Sequence, residues 1–320
     1  MAKFVHSAIE AIGNTPLVQL QKVVPDNHAR ILVKTEGTNP TGSMKDRMAL
    51  AIIQKAEADG RFRPGDTVVE YTGGSTGASL ALVCAAKGYA IRLVTSDAFS
   101  REKRDHMRAL GAELIEVPSE GGRTTKALIE EMIRLASQLG EEPGSFWSDQ
   151  LNNADAIEGY SALGEEIWSQ AAGRVDAFVQ VVGTAHSIAG VGSTLRRHNP
   201  NVRVFAVEPT ESPVLSGGEP GGHGIEGIGI GFVPPLWRDD LADEIVTVST
   251  DEAESMARRL AQREGLFTGT SSGANVVAAI RVAGELGRER TVVTLLIDSG
   301  LKYLSTSLYG SAKTQKLDTD

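Results

Sequence analysis

Short, β-branched, apolar segments alternate with longer helical patterns along most of the chain, and this alternation restricts the possible folds more than any other feature. Most of the strand-like segments are apolar on both faces, as strands buried in parallel sheets are. They lie at residues 31–33, 67–70, 91–94, 113–117, 177–182, 202–207, 245–248 and 292–297. The helical patterns lie at residues 43–58, 76–87, 101–110, 124–139, 156–170, 187–197, 250–264 and 272–286. The sequence therefore predicts an α/β fold with open, mostly parallel sheets and helices on both faces.

Length and loop composition indicate how the chain is divided. A chain of 320 residues is expected to form about two domains. The two halves are expected to meet in the polar stretch at residues 140–153, which contains Gly and Pro. Residues 209–231 are rich in glycine without a clear period, which predicts a long functional loop or lid. The polar tail at residues 310–320 is expected to fray.

Composition excludes several classes of function. The chain is 41% hydrophobic and 23% charged, with a formal net charge of −9, which argues against nucleic-acid binding. No apolar stretch reaches the roughly 18 residues of a membrane span, and residues 1–14 lack the apolar core of a signal peptide. The single cysteine, Cys84, is expected to be buried, and a chain without an internal disulfide suits a reducing cytoplasm. The sequence predicts a cytoplasmic protein that acts on small molecules.

Lys45 is the first candidate for chemistry. It lies in the segment 39–47, at the end of a Gly/Pro turn and the start of a helical pattern. An amine held on such a rigid element can form a Schiff base with an aldehyde cofactor. Taken alone, a lysine in this position is more often a solvated surface side chain, so its interpretation depends on the other motifs.

Two Gly/Ser/Thr-rich loops each follow a predicted strand and precede a predicted helix. One is Thr-Gly-Gly-Ser-Thr-Gly at residues 72–77, and the other is Gly-Thr-Ala-His-Ser-Ile-Ala-Gly at residues 183–190. Ligands of open α/β sheets bind at such loops, and a helix N-terminus attracts anions. Both loops are candidates for a carboxylate or a phosphate, although a plain helix cap could have the same composition. His186, in the second loop, could contact a phosphate or face solvent.

A third polar segment, residues 269–274, precedes the last helical pattern. Ser272 could cap this helix, which would leave Ser271 free to bind a buried ligand. No metal site is predicted, because the six histidines show no ligand spacing and one cysteine cannot form a thiolate site.

Taken together, these segments resemble the cysteine synthase (O-acetylserine sulfhydrylase) family of fold-type II pyridoxal-phosphate enzymes, which includes cystathionine β-synthases. The resemblance covers about residues 8–310 and is specific through the order and spacing of its motifs. The motifs are residues 12–17 (Ile-Gly-Asn-Thr-Pro-Leu), 39–47, 207–209, 226–234, 271–274, 298–300 and 303–306.

The resemblance implies an architecture like that of the tryptophan synthase β-subunit, with two open, mostly parallel twisted sheets flanked by helices. A smaller, mobile N-terminal domain would comprise residues 1–12 and 38–150, and a larger cofactor-binding domain residues 13–37 and 151–310. Residues 311–320 would form a polar tail. A homodimer and a serine acetyltransferase partner are also implied.

The resemblance further implies roles for individual residues. Lys45 would carry pyridoxal 5'-phosphate and move the α-proton of the substrate, and Ser271 would face the pyridine nitrogen. The phosphate would be cradled, mostly by backbone N–H groups, at Gly183, Thr184, Ala185, His186 and Ser187. The substrate carboxylate and the ring hydroxyl of the cofactor would be surrounded by Thr72, Gly73, Ser75, Thr76 and Gln150.

The sequence departs from the family pattern in three segments. The family typically has Thr-Ser-Gly-Asn-Thr-Gly at residues 72–77, so Ser75 replaces an asparagine that contacts the ring hydroxyl. In the phosphate loop, Ala185 and His186 replace two glycines, while the backbone donors remain. Leu151 stands where an aromatic residue is common. These departures affect the identity of the substrate more than the binding of the cofactor.

The resemblance implies β-replacement on a serine-derived amino acid, and above all cysteine synthesis from O-acetylserine and sulfide through an α-aminoacrylate intermediate. The alternatives are a cysteine desulfhydrase that performs β-elimination, cystathionine β-synthase-like chemistry, or another β-substituted alanine synthase. A regulatory binding partner that retains the fold without turnover is the non-enzymatic alternative, against which the intact Lys45 argues.

Overall fold

The protein is described by a computed structural model that covers residues 4–122 and 125–310. The predicted tail, apart from Gly310, and the predicted helix start at Thr124 lie outside the described residues. The strands are β1 (Leu17–Gln19), β2 (Arg30–Thr35), β3 (Thr67–Tyr71), β4 (Ala90–Ser96), β5 (Glu113–Val117), β6 (Ser145–Trp147), β7 (Ala177–Val181), β8 (Arg203–Pro209), β9 (Glu244–Val248) and β10 (Thr291–Leu296). The α-helices are α1 (Lys45–Ala58), α2 (Ser75–Lys87), α3 (Arg101–Ala109), α4 (Lys126–Gly140), α5 (Ala156–Gln170), α6 (His186–His198), α7 (Thr250–Arg259) and α8 (Thr270–Leu286).

The strands form two sheets. The larger has the order β1-β2-β10-β7-β8-β9, and the smaller has the order β5-β4-β3-β6. All pairs are parallel except β1 with β2. In the larger sheet, Val292 pairs with both Ile31 and Ala177. Helices flank both sheets, which confirms the predicted α/β class with two mostly parallel sheets.

The central strands explain why the apolar pattern could be recognised. Every residue of β7 and β10 is buried, as expected for strands that are covered by helices on both faces. Cys84, on α2, is also fully buried, and burial raises the pKa of its thiol to about 12. Its predicted role as a small apolar core residue is confirmed.

Two strands and one helix end differ from the sequence prediction. Strands β1 and β6 were not predicted because three residues each are too few to show a period. Strand β6 lies inside the polar stretch that the sequence assigns to the junction of the two halves, and it pairs with β3 at the edge of the smaller sheet. Helix α7 ends at Arg259 and continues as a π-helical turn, Leu260–Glu264.

The apolar core has two main parts. A large cluster surrounds the larger sheet and includes α1, α2 and α5. A smaller cluster surrounds Val69, Tyr71 and Val94 of the smaller sheet and includes residues of α4. The long loop at residues 210–238, between β8 and the short helix Asp239–Leu241, packs Ile230 and Phe232 against this smaller cluster.

A buried ionic network fixes the start of α1. Arg47 Nε lies 2.7 Å from Glu36 Oε2, and Arg47 Nη1 lies 2.8 Å from Glu166 Oε1 on α5. Lys34 of β2 reaches the other oxygen of Glu166 at 2.6 Å. Because Arg47 is two residues after Lys45, this network holds the turn on which Lys45 stands.

Within the described ranges, no helix has the length and apolarity needed to cross a membrane.

Candidate active site

A cavity of about 940 Å³ lies where loops of the two sheets meet. All of the predicted site residues line it except Ala185 and His186. Those that do are Lys45, Thr72, Gly73, Ser75, Thr76, Gln150, Gly183, Thr184, Ser187 and Ser271. Two anion loops, one lysine and one buried serine, far apart in sequence, are therefore brought to one cavity.

Lys45 is the first residue of α1. Its side chain is half-buried and lines the cavity rather than the open surface. Burial lowers the pKa of its amine to about 8, although the negative charge of Asp298 opposes this shift. More of the amine is thus uncharged near neutral pH than in an ordinary lysine, and the uncharged amine is the form that attacks an aldehyde.

The loop at residues 72–77 is folded around the Thr72 hydroxyl. Its oxygen accepts hydrogen bonds from the backbone N–H groups of Gly74, at 2.9 Å, and Gly77, at 3.0 Å. Gly74 has a φ of +137°, which a residue with a side chain rarely adopts. The turn places Ser75 at the start of α2, where it lines the cavity.

Gln150 is bound to this loop and to the buried carboxyl of Glu70. Thr76 Oγ1 donates to Gln150 Oε1 at 2.8 Å, and Gln150 Nε2 donates to the Tyr71 carbonyl oxygen at 2.7 Å. The backbone N–H of Gln150 and the Ser148 hydroxyl both donate to Glu70 Oε2. Burial raises the pKa of Glu70 to about 7. Glu70 was not predicted from the sequence, where it reads as one residue of a strand.

The second anion loop joins β7 to α6. Ala185 has a left-handed backbone with a φ of +67°, which an alanine adopts at some cost. A Cβ added to Gly183 would lie 2.5 Å from the carbonyl oxygen of Gly227, so only glycine fits there. Helix α6 starts at His186, and its first N–H groups have no partner within the helix.

His186 faces neither solvent nor the cavity. The residue is 1% exposed; Nδ1 lies 2.7 Å from Thr184 Oγ1, and Nε2 lies 3.1 Å from the Asn153 carbonyl oxygen. Because a carbonyl oxygen only accepts, we assign the hydrogen to Nε2, and Nδ1 then accepts from Thr184. Burial, with the positive charge of Lys45, lowers the pKa of His186 to about 4. The solvent-facing alternative is wrong; the backbone N–H of His186 remains at the helix start.

The third polar segment forms the first turn of α8. The helix begins at Thr270 after Gly269, so the proposed cap at Ser272 is wrong. The Ser272 hydroxyl instead accepts the backbone N–H of Ile297 at 2.9 Å. Ser271 is buried and lines the cavity. The cap was misplaced because a run of Thr and Ser offers several equivalent starting points.

Other residues of the cavity were not predicted as site residues. Phe99, Lys103 and Asp298 line it, together with much of the Gly-rich loop. The Tyr303 hydroxyl donates to Asp298 Oδ2 at 2.6 Å. The signals for Asp298 and Tyr303 were available in the motifs at residues 298–300 and 303–306; Phe99 and Lys103 carried no such signal.

These residues fit pyridoxal phosphate. An aldehyde needs an amine of lowered pKa, and Lys45 provides one. A phosphate needs backbone donors at a helix start, which the α6 loop provides. The buried, cavity-lining Ser271 can face a ring nitrogen without a charge.

Two parallel sheets that place a lysine of lowered pKa between two anion loops define an α/β enzyme of the pyridoxal-phosphate type. Residues 9–298 match the family model described as "Pyridoxal-phosphate dependent enzyme". The chain belongs to this family, whose members use pyridoxal phosphate as cofactor.

Relatives and solved structures agree with this assignment. A protein of Staphylococcus aureus named cysteine synthase is 46% identical over 309 residues, which cover 96% of this chain and 98% of the relative. The structure of an O-ureido-L-serine synthase superposes with a TM-score of 0.88 at 38% identity and covers 98% of each chain. A cysteine synthase structure from Entamoeba histolytica has a TM-score of 0.89 at 36% identity and covers 98% of this chain and 93% of its own.

Proposed function

We propose that the protein catalyses a β-replacement that makes cysteine from O-acetylserine and sulfide. The observation that carries this proposal is the position of Lys45, half-buried with a lowered pKa in one cavity with Ser271 and both anion loops. The relative at 46% identity, which is named cysteine synthase, supports the same substrates.

The chain's own residues divide the work of binding. Backbone N–H groups of residues 183–187, at the N-terminus of α6, would hold the phosphate. The loop of Thr72, Gly73, Ser75 and Thr76 binds the substrate carboxylate at the N-terminus of α2. The side-chain amide of Gln150 is fixed by hydrogen bonds to Thr76 and Tyr71, and Gln150 lines the cavity together with this loop. Ser271, buried at the cavity, would face the ring nitrogen as a neutral partner.

Lys45 is the proposed acid and base for the proton on the substrate Cα. Lys45 would hold the cofactor aldehyde, and its amine, which lines the cavity, would remove the proton from the substrate Cα and later return one there. The cofactor, when bound, supplies the electron sink that makes this proton acidic. Acetate leaves Cβ with the electron pair of the C–O bond, and the sulfur of the nucleophile forms the new bond to Cβ.

Contacts at the start of α3 are among those that join the proposed mobile domain, residues 1–12 and 38–150, to the rest of the chain. Lys103 forms an ion pair with Glu226 of the Gly-rich loop, and Ser305 Oγ donates to Glu102 at 2.6 Å. Opening of the cavity would break both contacts. The division into domains, with 13–37 and 151–310 as the cofactor-binding part, remains a proposal.

A substrate panel tests the function. The holoenzyme should convert O-acetylserine and sulfide to cysteine and acetate, and Lys45→Ala should lose this activity while keeping its fold by circular dichroism. If cysteine gives sulfide and pyruvate while O-acetylserine does not react, the protein is a desulfhydrase. If neither reacts although the cofactor binds, the non-catalytic alternative replaces the proposal.

The oligomeric state, the protein partner and the cellular location of this protein are still predictions. We expect a homodimer, a serine acetyltransferase as a partner and a cytoplasmic location, each of which rests on the family resemblance or on composition. Sedimentation of the purified protein, with and without the acetyltransferase, tests the first two.

A further inference from the structure

We propose that Glu70 is a positioning residue for the substrate site, and that its buried carboxylate holds Gln150 in place. This inference rests on the proposed β-replacement, because Gln150 is one of the residues that we assign to the substrate carboxylate.

Glu70 lies behind the cavity rather than in it. It belongs to β3, is fully buried and does not line the cavity, whereas Tyr71 and Gln150 do. Strand β6 pairs with β3 as far as Trp147 beside Val69, and the chain then turns at residues 148–150. Glu70 therefore stands where this turn leaves the smaller sheet, and it can act on a substrate only through other residues.

Three donors converge on the carboxylate of Glu70. The Ser148 hydroxyl, at 2.7 Å, and the backbone N–H of Gln150, at 2.9 Å, donate to Oε2. The backbone N–H of Tyr71 donates to Oε1 at 2.9 Å. An ionised carboxylate only accepts hydrogen bonds and can satisfy all three donors. A glutamine cannot, because its NH₂ group would face at least one of the two backbone N–H groups, which have no acceptor to offer.

The same carboxylate fixes both partners of the hydrogen bond that orients the Gln150 side chain. Gln150 Nε2 donates to the Tyr71 carbonyl oxygen at 2.7 Å, and the backbone N–H groups of these two residues are the ones that Glu70 binds. Gln150 Oε1 accepts from Thr76 of the substrate loop at 2.8 Å. Loss of the charge on Glu70 should therefore loosen Gln150 and, through Thr76, the loop itself.

The charge on Glu70 depends on pH in the neutral range. Burial raises the pKa of this carboxyl to about 7, and the negative charge of Asp149 acts in the same direction, whereas the three hydrogen bonds lower it. Tyr71 stays uncharged because burial raises the pKa of its hydroxyl. Since the folded pKa of Glu70 lies above the usual value of about 4.3, the carboxyl is largely protonated at pH 6 and becomes charged as the pH rises through about 7. The affinity for a substrate carboxylate should increase over the same range.

Binding of propionate to the holoenzyme tests the inference without turnover. Propionate has a carboxylate that stays ionised at neutral pH and no amine that could react with the cofactor. By calorimetry, its affinity should increase about fivefold from pH 6 to pH 8, which corresponds to one hydrogen bond. Glu70→Gln should bind propionate about fivefold more weakly at pH 8 and lose this pH dependence. Equal affinities of wild type and variant at pH 8, or a pH dependence that survives in the variant, would overturn the inference.

Ser148→Ala is a second variant, which removes one donor and keeps the buried carboxylate. Because the Ser148 hydroxyl lowers the pKa of Glu70, its loss should move the midpoint of the propionate affinity to higher pH. An unchanged midpoint would overturn the inference even if Glu70→Gln does not fold.

Glu208→Gln is the matched control. Glu208, on β8, is also buried, and it accepts from the backbone N–H groups of Leu215 and Ser216 and from the Ser216 hydroxyl. It does not line the large cavity. This variant should lose a comparable set of hydrogen bonds and leave the propionate affinity unchanged. An equal loss of affinity in Glu70→Gln and Glu208→Gln would show a general destabilisation and overturn the inference.

A double variant tests whether Glu70 acts through Gln150. In the Gln150→Ala background, Glu70→Gln should cause no further loss of propionate affinity, and an additive loss would overturn the inference. If the wild type releases no acetate from O-acetylserine, the proposed function fails, while these affinities still decide the role of Glu70. If acetate is released, Glu70→Gln should raise KM for O-acetylserine about fivefold with little change in kcat, and a lower kcat with an unchanged KM would contradict a positioning role.

Discussion

The ring of His186 donates a hydrogen bond to the carbonyl oxygen of Asn153 over 3.1 Å, with the ring buried and uncharged. This bond joins the anion loop of the larger sheet to the turn that carries Gln150 after β6. The other ring nitrogen accepts from Thr184. One side chain therefore links the proposed phosphate site to the proposed substrate site.

His186→Ala should weaken cofactor binding about tenfold. It removes two hydrogen bonds, each worth about 1 kcal/mol, and one of them orients Thr184 in the phosphate loop. Titration of the apoprotein with pyridoxal phosphate measures the dissociation constant. His198→Ala, at the exposed end of the same helix, where His198 contacts Glu165, should leave it unchanged. Equal affinities for His186→Ala and wild type would show that the link does not support the phosphate site.

The pH dependence of cofactor uptake should report on Lys45. Its folded pKa of about 8 lies below the usual value of about 10.4, and the uncharged amine is the reactive form. The rate at which apoprotein takes up pyridoxal phosphate should therefore increase with pH through a midpoint near 8. Asp298→Asn removes the negative charge that raises this pKa and should move the midpoint to lower pH. The uptake is followed by absorbance, and a midpoint near 10 would contradict the lowered pKa of Lys45.

The larger features of the fold and site could be predicted because they depend on local pattern. Strands β7 and β10 are apolar throughout, and Lys45 lies in a recognisable turn. The ring contacts of His186 could not be predicted, because Asn153 is far away in sequence and comes close only when the two sheets pack. The same holds for Phe99 against Gly73, and for Glu70, whose carboxyl is oriented by residues that follow β6.

Loss of Glu166 should destabilise the fold strongly. Its carboxylate pairs with Arg47 and the buried Lys34; although burial opposes ionisation, these partners lower its pKa to about 2. Glu166→Ala leaves the buried Lys34 without its carboxylate partner and Arg47 with Glu36 alone, and should cost about 3 kcal/mol in the free energy of unfolding. The neighbouring Glu165→Ala breaks only exposed contacts and should cost less than about 1 kcal/mol. Urea denaturation measures the free energy of unfolding of both variants. Equal losses in the two variants would refute a stabilising role for the ionic network at the start of α1.

Gly73 and Phe99 should be energetically coupled. Gly73→Ser forces its Cβ against the Phe99 ring and should cost about 1–3 kcal/mol. In the Phe99→Ala background that cost should largely disappear, which gives a coupling energy of about 1 kcal/mol or more. Gly222→Ser is the control, because a Cβ there meets no atom within 4 Å. Additive effects in the double-mutant cycle, measured by urea denaturation, would mean that the ring can move aside freely.

The bond between Lys45 and the cofactor is the central claim, and borohydride reduction tests it most directly. The purified protein should show a visible absorbance band that disappears on reduction, and peptide mapping should find the cofactor attached to Lys45. Lys45→Ala should have neither the band nor the label. A label on a different lysine, such as the buried Lys103 or Lys302, or a protein that binds no pyridoxal phosphate, would contradict the account.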